Sequence, residues 1–325
     1  MPVDGSPLIT GATGFAGGHL LDCIVSQQPA GSRVHAWAHR GGTPRSDRTG
    51  ADQSVTWTAV DLLDRAMVRN AIEAARPSVI YHCAGFADVE QSWRAPAQAL
   101  RVNALGTHHV LEAVRELGLS CGVLVTGSAQ IYRPSESAIG EDDPIEPANP
   151  YGVSKLAQEM TAAASSVPAW LARPFNHAGP RQSSSYATSA FARQIAAIEA
   201  GRSEPVLHVG NLAAQRDITD VRDTVRAYQA LAQGGHPRRP YNVCSGRAYS
   251  MRTLLDILIS LARVRVRTEV DASRLRPSDQ PLILGSPVRI TADTGWLPRI
   301  PIEQTLADLL EYWRHLAVPP AAGAP

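Results

Sequence analysis

Lysine is almost missing from this chain. Of 31 basic residues in 325, one is lysine, Lys155, and the other 30 are arginine. A drift toward arginine needs no function. A position that keeps lysine asks for a compact, tunable ammonium where a guanidinium would be bulky and permanently charged. Excess charge of one sign is missing as well, with 31 Lys+Arg against 30 Asp+Glu. No basic stripe alternates with aromatics, so nucleic-acid binding has no support. Cysteine is scarce. Cys23, Cys83, Cys121 and Cys244 lie far apart without metal-ligand spacing, which predicts free thiols of a reducing compartment and no metal site. No basic-apolar-small segment opens the sequence, and no apolar run is long enough for a bilayer. The expectation is a soluble, cytoplasmic protein with no membrane partner. Core material, by contrast, is plentiful: 44% of the residues are hydrophobic, enough for one large domain or two coupled ones.

Short apolar runs alternate with helical patterns. Strands are predicted at Pro7–Thr10, Arg33–Ala38, Val55–Val60, Val79–Cys83, Val123–Thr126 and Trp170–Arg173, and helices at His19–Gln27, Leu63–Ala75, Pro96–Leu117 and Pro150–Ser165. This rhythm predicts an α/β protein, a doubly wound parallel sheet with helices on both faces and a ligand beyond the strands' carboxyl ends. After Arg173 the rhythm changes. Pro174–Ser189 reads as a long functional loop, rich in Pro, Gly, Ser and Asn. Helices follow at Ala190–Ala200, Asp223–Ala232, Thr253–Arg263 and Ile302–Leu316, with a strand at Tyr241–Cys244 and an irregular stretch at Arg274–Pro287. Residues 1–173 and 217–245 are therefore expected to form the sheet domain, and residues 174–216 and 246–325 a smaller lobe.

Thr10–Leu20 reads TGATGFAGGHL. Gly11, Gly14 and Gly17 stand between a strand and a helix at GxxGxxG spacing. Glycine permits a tight turn and close backbone approach to a pyrophosphate, and the helix amino end supplies free N–H groups and a positive dipole. The next strand ends in Trp37-Ala38-His39-Arg40, without the acidic residue that would hold a free ribose 2′-hydroxyl. Arg40 there favours a 2′-phosphate, hence NADP over NAD. Asp61, followed by Leu62, is placed either to accept from an adenine amino group or to cap the helix after it.

Asn149–Gln158 reads NPYGVSKLAQ. Tyr151 and Lys155 are four apart and share a helical face. A tyrosine is a poor acid or base at neutral pH, and a nearby ammonium is expected to lower its pKa. Ser128, at the end of the strand Val123–Thr126, would bond the same substrate oxygen. The three would then protonate an alkoxide as hydride arrives.

With these motifs the chain resembles the extended short-chain dehydrogenase/reductases of the nucleotide-sugar epimerase/dehydratase type, over nearly its whole length. The resemblance rests on TGATGFAGGHL, Asp61-Leu62, Cys83-Ala84-Gly85, Asn103, the Ser128/Tyr151/Lys155 set and RPFNHAGP at 173–180. RPFNHAGPRQ, VGNLAAQRDITDVRD (209–223) and RPSDQPLILGSP (276–287) resemble the branch of GDP-mannose 4,6-dehydratases and GDP-4-keto-6-deoxy-mannose reductases. It implies a Rossmann-type domain with a smaller C-terminal substrate-binding lobe and a GDP-linked sugar as partner. It further implies that Gly11, Thr13, Gly14, Phe15, Ala16, Gly17, Arg40, Asp61, Leu62, Ala84, Gly85, Asn103 and His177 hold NADP with Tyr151 and Lys155. Lys155 would bind the nicotinamide ribose, and Asn103 would support it through a water. Ser128, Gln130, Asn176, Asn211, Arg216 and Arg276 would meet the substrate, the two arginines at its diphosphate. The long helices Pro96–Leu117 and Pro150–Ser165 would pair into a four-helix homodimer interface.

Within that branch one residue discriminates. A 4,6-dehydratase removes a proton beside a ketone and expels water, and in the family a Glu two residues after the Ser/Thr does this work. Here that position is Gln130, in TGSAQIYR. An amide neither gives nor takes a proton at neutral pH. The expectation is a reductase converting GDP-4-keto-6-deoxy-D-mannose to GDP-D-rhamnose. The alternatives are a dehydratase, a nucleotide-sugar 4-epimerase and a cofactor-sensing binding protein on the same fold.

Overall fold

A computed structural model describes residues 5–29, 31–39, 54–274 and 280–317. The first half alternates strand and helix: β1 (Pro7–Thr10), α1 (Phe15–Gln27), β2 (Val34–Ala38), β3 (Val55–Ala59), α2 (Arg65–Ala75), β4 (Val79–His82), α3 (Val89–Arg94), α4 (Pro96–Leu100), α5 (Gly106–Glu116), β5 (Gly122–Thr126), α6 (Pro150–Ala164) and β6 (Ala169–Pro174). The second half runs β7 (Asn176–Ala178), α7 (Ala187–Glu199), β8 (Val206–Val209), β9 (Gln215–Asp220), α8 (Val221–Gly234), β10 (Pro240–Val243), β11 (Ala248–Ser250), α9 (Met251–Ser260), β12 (Arg267–Val270), β13 (Leu282–Ile283), α10 (Val288–Thr294) and α11 (Ile302–Ala317).

Seven strands form one parallel sheet in the order β10-β6-β5-β4-β1-β2-β3. This is the expected doubly wound, Rossmann-type architecture. Its central strands read as unbroken apolar runs because helices cover both faces. On one face Leu20, Leu21 and Ile24 of α1 meet Val225, Tyr228 and Leu231 of α8, with Ile290 of α10 and Trp296 joining them. On the other, Val68 and Ile72 of α2 pack with Val110, Leu111 and Val114 of α5. Each such side chain contributes about 1.5–3 kcal/mol on burial. The chain winds from β1 toward β3 on one side and from β4 toward β10 on the other. The crevice beyond the carboxyl ends of β1 and β4 is thus the switch point where such sheets bind ligands.

A second core joins α7, α9 and α11 through Phe191, Ile195, Leu254, Leu258, Leu306 and Leu309. Beside it β9 pairs with β7, β11 and β13, and β8 pairs with β12. Four local expectations change. Helix α1 begins at Phe15, against the loop itself. The long helix predicted at 96–117 contains a π-helical turn at Arg101–Leu105, which hydrophobic periodicity does not reveal. The expected loop after Pro174 contains β7 and the start of α7, and the irregular stretch near 280 contains β13.

Candidate active site

The crevice is closed below by the glycine turn. Gly11 takes φ +67°, and a Cβ there would sit 2.7 Å from the Ala84 nitrogen. A Cβ on Gly17 would sit 2.2 Å from the Gly11 oxygen. The backbones of β1, α1 and the Ala84–Gly85 strand end therefore meet with no room for side chains. Gly14 precedes α1 without a side-chain cap, leaving the helix's first N–H groups for an anion. Thr13, Phe15 and Ala16 follow the same turn, and the Phe15 ring stacks on His177 at 5.6 Å and 6°. Asp61 accepts from the Leu63 nitrogen at 2.9 Å and does not cap α2. That role falls to Asp64, which accepts from Met67. Leu62 turns its side chain into the core, where Gly106 leaves space for it. Arg40 and Arg276 lie outside the described residues.

Helix α6 is fixed at its start by Asn149, whose side chain accepts from the Gly152 nitrogen, and Pro150 suits the first turn. It presents Tyr151 to the crevice and buries Lys155. Ser128 follows β5 and lines the crevice with Tyr151, its hydroxyl near enough to the phenol to favour the phenolate. The Lys155 ammonium lies 5.9 Å from the Tyr151 ring centre. It donates to the Thr126 carbonyl at 2.9 Å and to Gln158 Oε1 at 2.9 Å. A Cβ on Gly85 would come within 3.4 Å of its Nζ, so that side of the ammonium stays open only because residue 85 is glycine.

Gln158 begins a buried polar chain that the sequence reading missed. Its Nε2 donates to Thr107 Oγ1 at 3.0 Å, Thr107 meets His82 Nε2 at 2.9 Å, and His82 Nδ1 meets Thr10 Oγ1 at 2.8 Å. Thr10 in turn accepts from the Ala84 nitrogen. The chain ties Lys155 to the strand end that carries the glycine turn. Asn103 braces the site by another route. Its Nδ2 donates to Ser154 Oγ at 2.8 Å and to the Phe86 carbonyl, and its Oδ1 accepts from the Phe86 nitrogen. Ser154 bonds the Tyr151 carbonyl. Asn103 thus holds helix α6, while Gln158 holds the lysine directly. The π-helical turn containing Asn103 is of a kind common at functional sites.

Above the crevice lies a cleft of about 540 Å³ lined by Ser128, Gln130, Tyr151, Asn176, His177, Asn211 and Arg216. This size suits a ligand larger than a simple metabolite. With Phe15, which also lines it, eight of the expected site residues thus share one space. Arg216 lines it while donating to the Gln215 and Gln280 carbonyls. Glu90, Tyr186 and Arg274 also line it and were not expected. Arg274, two residues before Arg276, carried a weak signal. Tyr186 carried none, standing in a serine-rich stretch that reads as loop. Among the described residues no cluster of His, Cys, Asp or Glu could hold a metal ion, and no helix is long and apolar enough to cross a membrane.

The family model described as GDP-mannose 4,6 dehydratase matches residues 8–309. The chain belongs to that family. GDP-6-deoxy-D-mannose reductase of Pseudomonas aeruginosa is 36% identical over 244 residues, covering 73% of this chain and 80% of the relative. A GDP-mannose 4,6-dehydratase of Vibrio cholerae is 25% identical over 347 residues, covering 93% and 92%. Among solved structures, RMD from Pseudomonas aeruginosa complexed with NADPH superposes with TM-score 0.84 at 31% identity, covering 96% of this chain and 100% of that one. UDP-glucose 4-epimerase from Thermotoga maritima superposes with TM-score 0.83 at 22% identity, a likeness of fold. The relatives of this family member are thus both reductases and dehydratases of GDP-sugars.

The electrostatics of the family site depart from the sequence expectation in one respect. Tyr151 was expected to have a lowered pKa beside Lys155. Burial instead pushes the phenol above its ordinary value, and the nearby Ser128 hydroxyl offsets only part of this. Burial also pushes the Lys155 ammonium down to about 8, against a small opposing effect of Cys83. Two groups on one helix, Lys155 buried and Tyr151 at the crevice, are each driven toward neutrality. His82 is held neutral, pushed down to about 3 by burial and then by Lys155. Tyr151 is therefore a proton donor at rest, beside an ammonium close to its own titration point.

Proposed function

We propose that this chain reduces the 4-keto group of a GDP-4-keto-6-deoxy-hexose with NADPH, giving GDP-D-rhamnose from GDP-4-keto-6-deoxy-D-mannose. The glycine turn and the open end of α1 suit a dinucleotide, since the cradle around Gly11 and Gly17 admits backbone approach and nothing larger. Bound there, NADPH would supply the hydride. Tyr151 would give its proton to the sugar's 4-oxygen, Ser128 would bond the same oxygen, and Lys155 would steady the tyrosinate left behind. Asn176, Asn211 and Arg216 would receive the nucleotide diphosphate side. His177 and Phe15 would shield the turn, and Asp61, Leu62, Ala84 and Gly85 would border the adenosine half and the ribose.

The observation that carries reduction over dehydration is the amide at Gln130. It lines the cleft beside Ser128 and Tyr151, where elimination needs a group that moves a proton. Purified protein given GDP-4-keto-6-deoxy-mannose and NADPH should lose absorbance at 340 nm. GDP-mannose with catalytic NADP should give no 4-keto product. No NADPH oxidation overturns the reductase reading, and abundant 4-keto product favours the dehydratase reading that the Vibrio relative supports.

The working form is a homodimer built on the outer faces of α3, α4 and α6. Four free thiols suit a cytoplasmic setting.

A further inference from the structure

The Asn149 side chain has its orientation decided by backbone. Its Oδ1 accepts from the Gly152 nitrogen at 2.8 Å; turning the amide over would set its NH2 against that N–H, donor against donor. Its Nδ2 is therefore the group that faces position 130, and it donates to Gln130 Oε1 at 2.9 Å. This commits the Gln130 oxygen, so its Nε2 is the end of the amide left for the cleft. The same turn is held twice more. The Gln130 nitrogen donates to Ser128 Oγ at 3.1 Å, and the Gln130 carbonyl presses on Gly152 so closely that a Cβ there would lie 2.3 Å away. Asn149 is not free to flip, because its acceptor and its donor each meet a matched neighbour, and the Gln130 amide takes its orientation from Asn149.

We propose that Asn149 is a positioning residue that makes position 130 a fixed hydrogen-bond donor to the sugar, aimed at an oxygen acceptor near the carbonyl held by Ser128 and Tyr151. The inference rests on the proposed keto-sugar reduction and adds the polarity of the sugar-recognition site. One helix cap thereby sets both the start of α6 and the hydrogen-bond sense of the cleft wall.

The test is Asn149→Asp. Aspartate caps a helix as well as asparagine but offers only acceptors to position 130. The Gln130 amide then turns its Nε2 to the carboxylate and its oxygen to the cleft, where a donor becomes an acceptor. The KM for the keto sugar should rise tenfold or more, with the KM for NADPH and the thermal midpoint unchanged. On a Gln130→Leu background, where the amide is gone, Asn149→Asp should add nothing to the KM for the sugar. An unchanged sugar KM in folded Asn149→Asp overturns the inference, as does an effect that persists undiminished with Gln130→Leu. If the wild type fails to oxidise NADPH, the reductase reading falls by itself. Titration calorimetry with GDP-6-deoxy-D-mannose then decides the inference without turnover: weaker binding to Asn149→Asp that disappears on Gln130→Leu supports it, and equal binding overturns it.

Discussion

Lys155 is a cation that the fold works against. Its side chain is buried, yet its hydrogen-bond partners are a carbonyl and an amide oxygen, with no carboxylate. The titratable groups that face it are His82 of β4, Cys83 just after it and Tyr151 from its own helix, all neutral near pH 7 because burial disfavours their charged forms. With a folded pKa of about 8, the free enzyme should lose the ammonium as pH rises through that value, and kcat/KM for NADPH should decline above it. A profile flat to pH 10 would refute this. Stability moves the opposite way. The unfolded lysine keeps its proton to its ordinary 10.5, so between about 8 and 10.5 the unfolded chain binds more protons and folding strengthens with pH. Relative to Lys155→Met, the wild type should gain up to about 3 kcal/mol over that window, read by urea unfolding of both proteins at pH 7.5 and 10. The uniqueness of Lys155 was visible in the sequence. Its brace was not, because a glutamine three residues along a helix looks the same whether it faces solvent or closes a buried chain to His82.

At the scale of elements, the meeting of β1, α1 and β4 depends on missing side chains. Gly17 lies on the inner side of α1, and a methyl group there would stand 2.2 Å from the Gly11 carbonyl. The carbonyl belongs to backbone and cannot step aside, so Gly17→Ala must push the helix away from the turn. Fluorescence titration should show NADPH affinity reduced a hundredfold or more, while circular dichroism shows helix content retained, since α1 keeps its packing through Leu20, Leu21 and Ile24. Affinity within threefold of wild type would show that the turn does not hold the cofactor. This element was legible because its chemistry is local: three glycines at fixed spacing between a strand and a helix. The YxxxK face of α6 was legible for the same reason. The π-helical turn around Asn103 was not, since one extra residue in a turn leaves the apolar pattern almost intact. The direction of the Tyr151 shift was misjudged because sequence shows neighbouring charges but not the depth at which they lie.

At the scale of the whole molecule, one surface is anomalous. Trp93, Leu100, Val153 and Met160 are 58%, 43%, 48% and 63% exposed, and they belong to α3, α4 and α6, which pack against one another. Trp93, Pro96, Leu100, Pro147 and Val153 line one shallow apolar hollow. Large apolar side chains scattered singly over a surface are ordinary, but a contiguous group of them marks an interaction site. Val153 and Met160 are two turns apart on the outer face of α6, the helix whose inner face carries Lys155. A partner copy seated on that face would stiffen α6 from outside, as Asn103 and Gln158 do from inside, so dimerisation and catalysis should be linked. Val153→Glu with Met160→Glu places two charges on the patch without entering the core. Light scattering after size exclusion should give about twice the 34.8 kDa chain mass for the wild type and a single chain for the variant. Reductase activity of the variant should fall at low protein concentration and recover as concentration rises. A wild type that runs as one chain, or a variant that remains dimeric, would place the interface elsewhere and leave the apolar hollow without this role.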